Sequence, residues 1–139
     1  MQKVVITGHD LTVDQIIAVC REGAEVVLSD ESREKILASR QVVNELVEER
    51  KVVYGITTGF GKFSDVVISQ DECKLLQKNL IITHAVGAGD PFKEDIARGI
   101  LLLRVNSLSN GFSGICLETV ETMIAMLNKG VTPFIPEKG

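Results

Sequence analysis

The chain has 139 residues, 45% of them hydrophobic and 24% charged, proportions expected of a soluble globular domain. A net charge of −4, aromatics at only 4% and no Trp argue against nucleic acid or an anionic membrane as partner. Cys20, Cys73 and Cys116 lie far apart, and His9 and His84 are the only histidines, so neither a disulfide framework nor a metal cluster is expected.

The pattern predicts a mainly α chain with one or two short β-strands near the N-terminus. Lys3–Ile6 and Glu25–Leu28 are short β-branched runs bounded by turn residues and read as strands. The run before Thr7 is too short for a signal peptide or a membrane span, so a cytoplasmic location with reduced thiols is expected. Between the strands, Thr12 and Gln15 have capping-box spacing, and Gly23 supplies a helix stop. Ser29 opens a longer helix with Ile36, Ser39, Val43, Leu46 and Val47 on one face. Glu34, Lys35, Glu45, Glu48 and Glu49 form its solvated side.

A glycine-rich loop follows, Val53 to Gly61, holding the chain's only tyrosine, Tyr54. Ser69 and Glu72 have the spacing of a second capping box, opening a helix that runs toward His84. A further helix is expected from Phe92 or Lys93 to Ser109. Its centre is apolar almost all round, which predicts burial on most sides and makes Arg104 a structural ion-pairing or helix-end residue. Asn106 and Ser107 read as inter-helix hydrogen-bonders. Ser113 is placed to cap a last helix that stops at Gly130, followed by an extended proline-containing tail.

Two glycine-rich stretches invite comparison with phosphate sites, and both fail. Gly55 and the Gly61-Lys62 pair are separated by five residues where a P-loop needs four, and Phe63 stands where Ser or Thr belongs. Gly87-Ala88-Gly89 begins like a dinucleotide fingerprint, but Phe92 stands at the third glycine position and Pro91 precedes it.

Four collinear stretches resemble the aromatic amino acid ammonia-lyases. Tyr54-Gly55-Ile56-Thr57-Thr58-Gly59-Phe60-Gly61 is similar to that family's tyrosine-glycine loop, apart from Thr57, where the family usually has Asn. Asn79 to Gly89 resembles the substrate-ring segment, Leu102 to Gly114 the following helix and turn, and Gly130 to Gly139 the run leading into the family's cofactor. The resemblance covers almost the whole chain. It implies that residues 1–139 are the N-terminal portion of an ammonia-lyase, ending before the Ala-Ser-Gly segment that cyclises to 4-methylideneimidazole-5-one.

Within that resemblance Tyr54 is the implied base for the substrate's β-proton, with a merely structural loop tyrosine as the alternative. His84 is implied to meet the substrate's ring. Gly59 and Gly61 are implied to let the loop close over the substrate, with Gly61 lining the binding site. His84 points to L-histidine, which would lose ammonia to give urocanate. A tyrosine-specific lyase or aminomutase, or a non-catalytic helical assembly module, is the alternative. The resemblance also implies a homotetramer for the complete enzyme. No Ala-Ser-Gly triplet occurs among the 139 residues, so the chain alone is expected to be inactive. Its last two helices would leave a large apolar surface unpaired, so the chain is also expected to self-associate. His9 is expected to be ordinary surface.

Overall fold

The computed structural model describes the backbone of residues 2–58 and 70–138, and the side chains of 2–58 and 75–138. Expected strands and helices appear in order. Strand β1 (Lys3–Ile6) runs into helix α1 (Val13–Arg21) and strand β2 (Glu25–Leu28), which returns parallel to β1 in the register Lys3 to Glu25 through Ile6 to Leu28. A parallel pair needs a crossover, and α1 supplies it. The capping box forms as expected: the Gln15 N–H donates to Thr12 Oγ1 and the Thr12 N–H donates to Gln15 Oε1.

Helix α2 (Asp30–Glu48) is capped by Ser29, whose hydroxyl accepts from the Ser32 N–H. Helix α3 (Gln70–His84), strand β3 (Ala88–Pro91), helices α4 (Glu94–Leu108) and α5 (Leu117–Asn128) and strand β4 (Pro136–Lys138) complete the described chain. The core forms where the alternating inward residues of β1 and β2 (Val4, Ile6, Val26, Leu28) meet Ala18 and Val19 of α1. Leu101, Leu102 and Val105 of α4, Val120, Ile124 and Leu127 of α5, and Ile36 of α2 close over them. Full burial of each such aliphatic side chain contributes about 1.5–3 kcal/mol, which makes this cluster the main stabilising feature of the described fold.

Four expectations need correction. First, a second small sheet exists: β3 pairs antiparallel with β4 in the tail, joining Ala88 to Lys138 and Pro91 to Pro136. Second, α5 begins at Leu117 with Cys116 as N-cap, not at Ser113. The turn before it is used to cross α2. Gly114 takes φ +65°, its N–H donates to Ser39 Oγ at 2.9 Å, and its carbonyl accepts from Arg40 Nη1 at 3.2 Å. Third, α4 is not buried on most sides: Ile96, Ile100 and Leu103 are exposed on its outer face.

The fourth correction concerns the charges and amides of α4. Arg104 lies on that outer face, exposed and without an ion pair among the described residues. The buried arginine is Arg98, one turn before Leu101 and Leu102 on the inner stripe. It donates through Nη2 to the Val19 carbonyl at 2.9 Å and through Nη1 to the Leu127 carbonyl at 3.2 Å. Its positive charge therefore sits at the carbonyl ends of α1 and α5, where the helix dipoles favour a cation. Asn106 does not bridge helices either. With Asn110, it donates to the Gly8 carbonyl and ties the β1–α1 loop to the end of α4. Ser107 is exposed.

Candidate functional site

The tyrosine-bearing loop is built from the end of α2. The Arg50 N–H donates to the Val47 carbonyl and the Lys51 N–H to the Leu46 carbonyl, with Arg50 at φ +53°, the geometry that closes a helix through a left-handed residue. Glycine is usual at that position, so no stop was legible there. The chain then turns tightly. Ile56 and Thr57 both donate their N–H to the Val53 carbonyl, and Gly55 adopts φ +74°, a conformation that costs it little.

Thr57 closes this turn from the other side. Its hydroxyl oxygen accepts from the Val53 N–H at 2.9 Å and donates its proton to the Lys51 carbonyl. Tyr54 stands at the tip, 62% exposed, and Thr58 is buried. The turn thus holds a phenol outward on a backbone fixed at its base. Gly59 and Gly61 lie outside the described residues, as does Ser69, the expected cap of α3.

His84 is the last residue of α3 and is exposed. None of the described side chains of α3 is buried, and Leu75, Ile81 and Ile82 face outward. The position of His84 is fixed from its C-terminal side. Ala85 donates to the Ile81 carbonyl, β3 then pairs with β4, and the Phe92 N–H donates to the Ile135 carbonyl. The His84 ring is oriented locally: Nδ1 is 2.9 Å from the Leu80 carbonyl oxygen and 3.1 Å from Thr83 Oγ1. These bonds end on α3 itself.

An open groove of about 540 Å³ lies elsewhere, between α1, β2 and the ends of α4 and α5. Its polar groups already serve one another. Arg21 pairs with Asp95 at 3.0 Å, Arg98 is held by two carbonyls, and Asn128 bonds both the N–H and the carbonyl of Val26. Burial pushes the Cys20 thiol above the ordinary thiol range, with Arg98 and Arg21 opposing and Asp95 adding. A thiol kept protonated is a weak nucleophile, so Cys20 is not activated there. Arg98 and Asn128 are the residues that the sequence reading missed. Arg98 carried a signal, its spacing to Leu101, Leu102 and Val105, whereas Asn128 carried none. His9 is surface, beside Asp10 at 3.5 Å. Among the described residues, no cluster of His, Cys, Asp or Glu could hold a metal, and no helix is long and apolar enough to cross a membrane.

The family described as aromatic amino acid lyase matches residues 11–139. The chain belongs to the aromatic amino acid lyases. A histidine ammonia-lyase of Caldanaerobacter subterraneus subsp. tengcongensis is 58% identical over 139 residues, covering 100% of this chain and 27% of the relative. The crystal structure of histidine ammonia-lyase from Trypanosoma cruzi superposes with a TM-score of 0.91 at 42% identity, covering 99% of this chain and 26% of that one. The tyrosine aminomutase of Streptomyces globisporus gives the same TM-score at 36% identity, with 99% and 26% covered. This lyase chain therefore spans about a quarter of the length of the relatives it matches.

Proposed function

We propose that these residues form the N-terminal portion of an enzyme that deaminates L-histidine to urocanate and ammonia, the opening reaction of histidine breakdown. The observation that carries the reading is identity above half over the whole chain with a protein named histidine ammonia-lyase. An exposed imidazole with one ring edge already bonded to its own helix supports it.

The chemistry explains the residue types. The β-hydrogen of an amino acid is a poor acid, so its removal needs a positioned base. Tyr54 is proposed as that base. A phenol titrates near 10, so it serves only where its surroundings favour the phenolate. The turn closed by Thr57 fixes the tyrosine backbone, so reaching the β-carbon costs little further ordering. His84 is proposed to receive the substrate's ring by hydrogen bonding, which disfavours phenylalanine, because a plain ring leaves the imidazole without its partner. Gly61 and Gly59 are proposed to let the backbone approach the bound substrate.

When present, the family's 4-methylideneimidazole-5-one supplies an electrophile that eases loss of the amine. It forms from Ala-Ser-Gly, a triplet that the 139 residues do not contain, so no step through it is assigned to them. The 139-residue chain is therefore proposed to be inactive by itself. The complete enzyme is proposed to be a cytoplasmic homotetramer with no nucleic acid or membrane partner. The outward apolar residues Ile96, Ile100 and Leu103 of α4 support burial against further protein.

A second reading is tyrosine as substrate, favoured by the 36% identity to a tyrosine aminomutase. Turnover of histidine, tyrosine and phenylalanine by the full-length enzyme separates the readings. Urocanate from histidine with little product from the others is expected. A coumarate or a β-amino acid from tyrosine favours the second reading, and no product from any of them favours a non-catalytic module.

A further inference from the structure

The hydrogen bonds around His84 define which of its ring nitrogens carries the proton. Nδ1 lies 2.9 Å from the Leu80 carbonyl oxygen, and a carbonyl has no proton to give, so Nδ1 is the donor. The Thr83 hydroxyl lies 3.1 Å from the same nitrogen. Its single proton is directed at the Asn79 and Leu80 carbonyls, 2.9 and 3.1 Å away, which leaves an oxygen lone pair facing Nδ1–H. Both neighbours of Nδ1 are then acceptors. With an unprotonated Nδ1, the ring lone pair would face the carbonyl lone pair at hydrogen-bonding distance.

A neutral imidazole with Nδ1–H has a bare lone pair at Nε2. Each hydrogen bond of the His84 ring uses Nδ1, and the ring is exposed. We infer that Thr83 and the Leu80 carbonyl lock His84 as the Nδ1–H tautomer, so that Nε2 faces the ligand as a hydrogen-bond acceptor. Thr83 is thus a positioning residue that acts through His84. The choice of ligand rests on the proposed function, whereas the tautomer is a property of this chain alone. The group that meets Nε2 must be a donor. A neutral imidazole keeps one N–H and a phenol keeps its O–H, but a phenyl ring has neither. Between heteroaromatic analogues, a pyrrole-bearing alanine fits and a thiazole-bearing alanine, whose ring nitrogen only accepts, does not.

The test reads the ring nitrogens directly, by long-range proton–nitrogen correlation spectra of the 139-residue chain above the ordinary histidine titration range. His9→Gln separates the two imidazoles. The expected result is a protonated Nδ1 and a lone-pair Nε2 at His84, a shift toward Nε2–H in Thr83→Val, and no such shift in Thr83→Ser. A mainly Nε2–H His84, or spectra unchanged in Thr83→Val, overturns the inference. In the full-length enzyme, the pyrrole analogue is expected to compete with histidine at least tenfold better than the thiazole analogue, and the reverse order overturns the acceptor role. A full-length protein that makes no urocanate overturns the functional reading, while the tautomer is still decided by the spectra.

Discussion

Val53 and Thr57 hold each other from both ends of the tyrosine turn: the Thr57 N–H donates to the Val53 carbonyl at 3.0 Å, and the Val53 N–H donates to Thr57 Oγ1 at 2.9 Å. The hydroxyl also reaches back to the Lys51 carbonyl, so one side chain closes the loop that presents Tyr54. A side chain at this position therefore needs both an acceptor and a donor.

Thr57→Val is expected to lower stability by about 1 kcal/mol, a typical net value for a lost hydrogen bond. In the full-length enzyme it should lower kcat more than it raises KM, because the turn sets the tyrosine and not the ring contact. Thr57→Asn supplies an amide oxygen and an NH2 group and should keep most of the rate. Steady-state kinetics of the two variants check this, and equal losses in both would contradict it.

Asn128 does for β2 what a neighbouring strand would do. Its Oδ1 accepts from the Val26 N–H at 2.8 Å and its Nδ2 donates to the Val26 carbonyl at 2.9 Å. Val26 is buried, so losing the amide leaves two backbone groups without partners. Asn128→Ala is expected to cost roughly 2–3 kcal/mol by denaturant titration. Asn128→Asp keeps the acceptor but sets a carboxylate against the Val26 carbonyl, and should be no better than alanine.

Arg98 joins the carbonyl ends of α1 and α5, and its bonds are charge-assisted. Arg98→Met retains the apolar stem but leaves both carbonyls without this donor, so a loss of roughly 2–4 kcal/mol is expected, since charged hydrogen bonds contribute about 1.5–3 kcal/mol each and restored solvation offsets part of that. Arg98→Lys should recover part of the loss. Arg104→Met, on the exposed face, should change stability by less than about 0.5 kcal/mol.

These two arginines show what was legible in the sequence. Both lie in one apolar helix, and hydrophobicity alone does not separate them. Helical spacing does, because positions 98, 101, 102 and 105 share a stripe that excludes 104. β1, β2 and the α1 capping box were legible because alternation and capping are local rules. The β3–β4 pair was not, because Ala88-Gly89-Asp90-Pro91 has no β-forming residue and its pairing comes from the distant tail. The role of Asn128 likewise depends on a strand about a hundred residues earlier. In the candidate site, Tyr54 and His84 were singled out by composition and resemblance, whereas the closing role of Thr57 and the bonding of the His84 ring arise only in the folded chain.

The Cys20 thiol gives a pH-dependent readout. Its folded value is raised by burial, so its contribution to stability is present below the ordinary thiol range and is lost as pH rises through the folded value. Alkylation of Cys20 in the folded chain should therefore lag an unfolded control in mildly alkaline buffer. Peptide mapping of the labelled protein checks this, and equal rates would contradict the burial effect.

Tyr54 is the proposed base that removes the β-proton. The direct measurement is urocanate formation from L-histidine by the full-length enzyme, compared with its Tyr54→Phe variant. A fall in kcat of about 10²–10⁴-fold is predicted, the range of a lost general base, with histidine still bound. A Tyr54→Phe enzyme that keeps the parent rate would contradict the assignment and leave the tyrosine loop a structural turn.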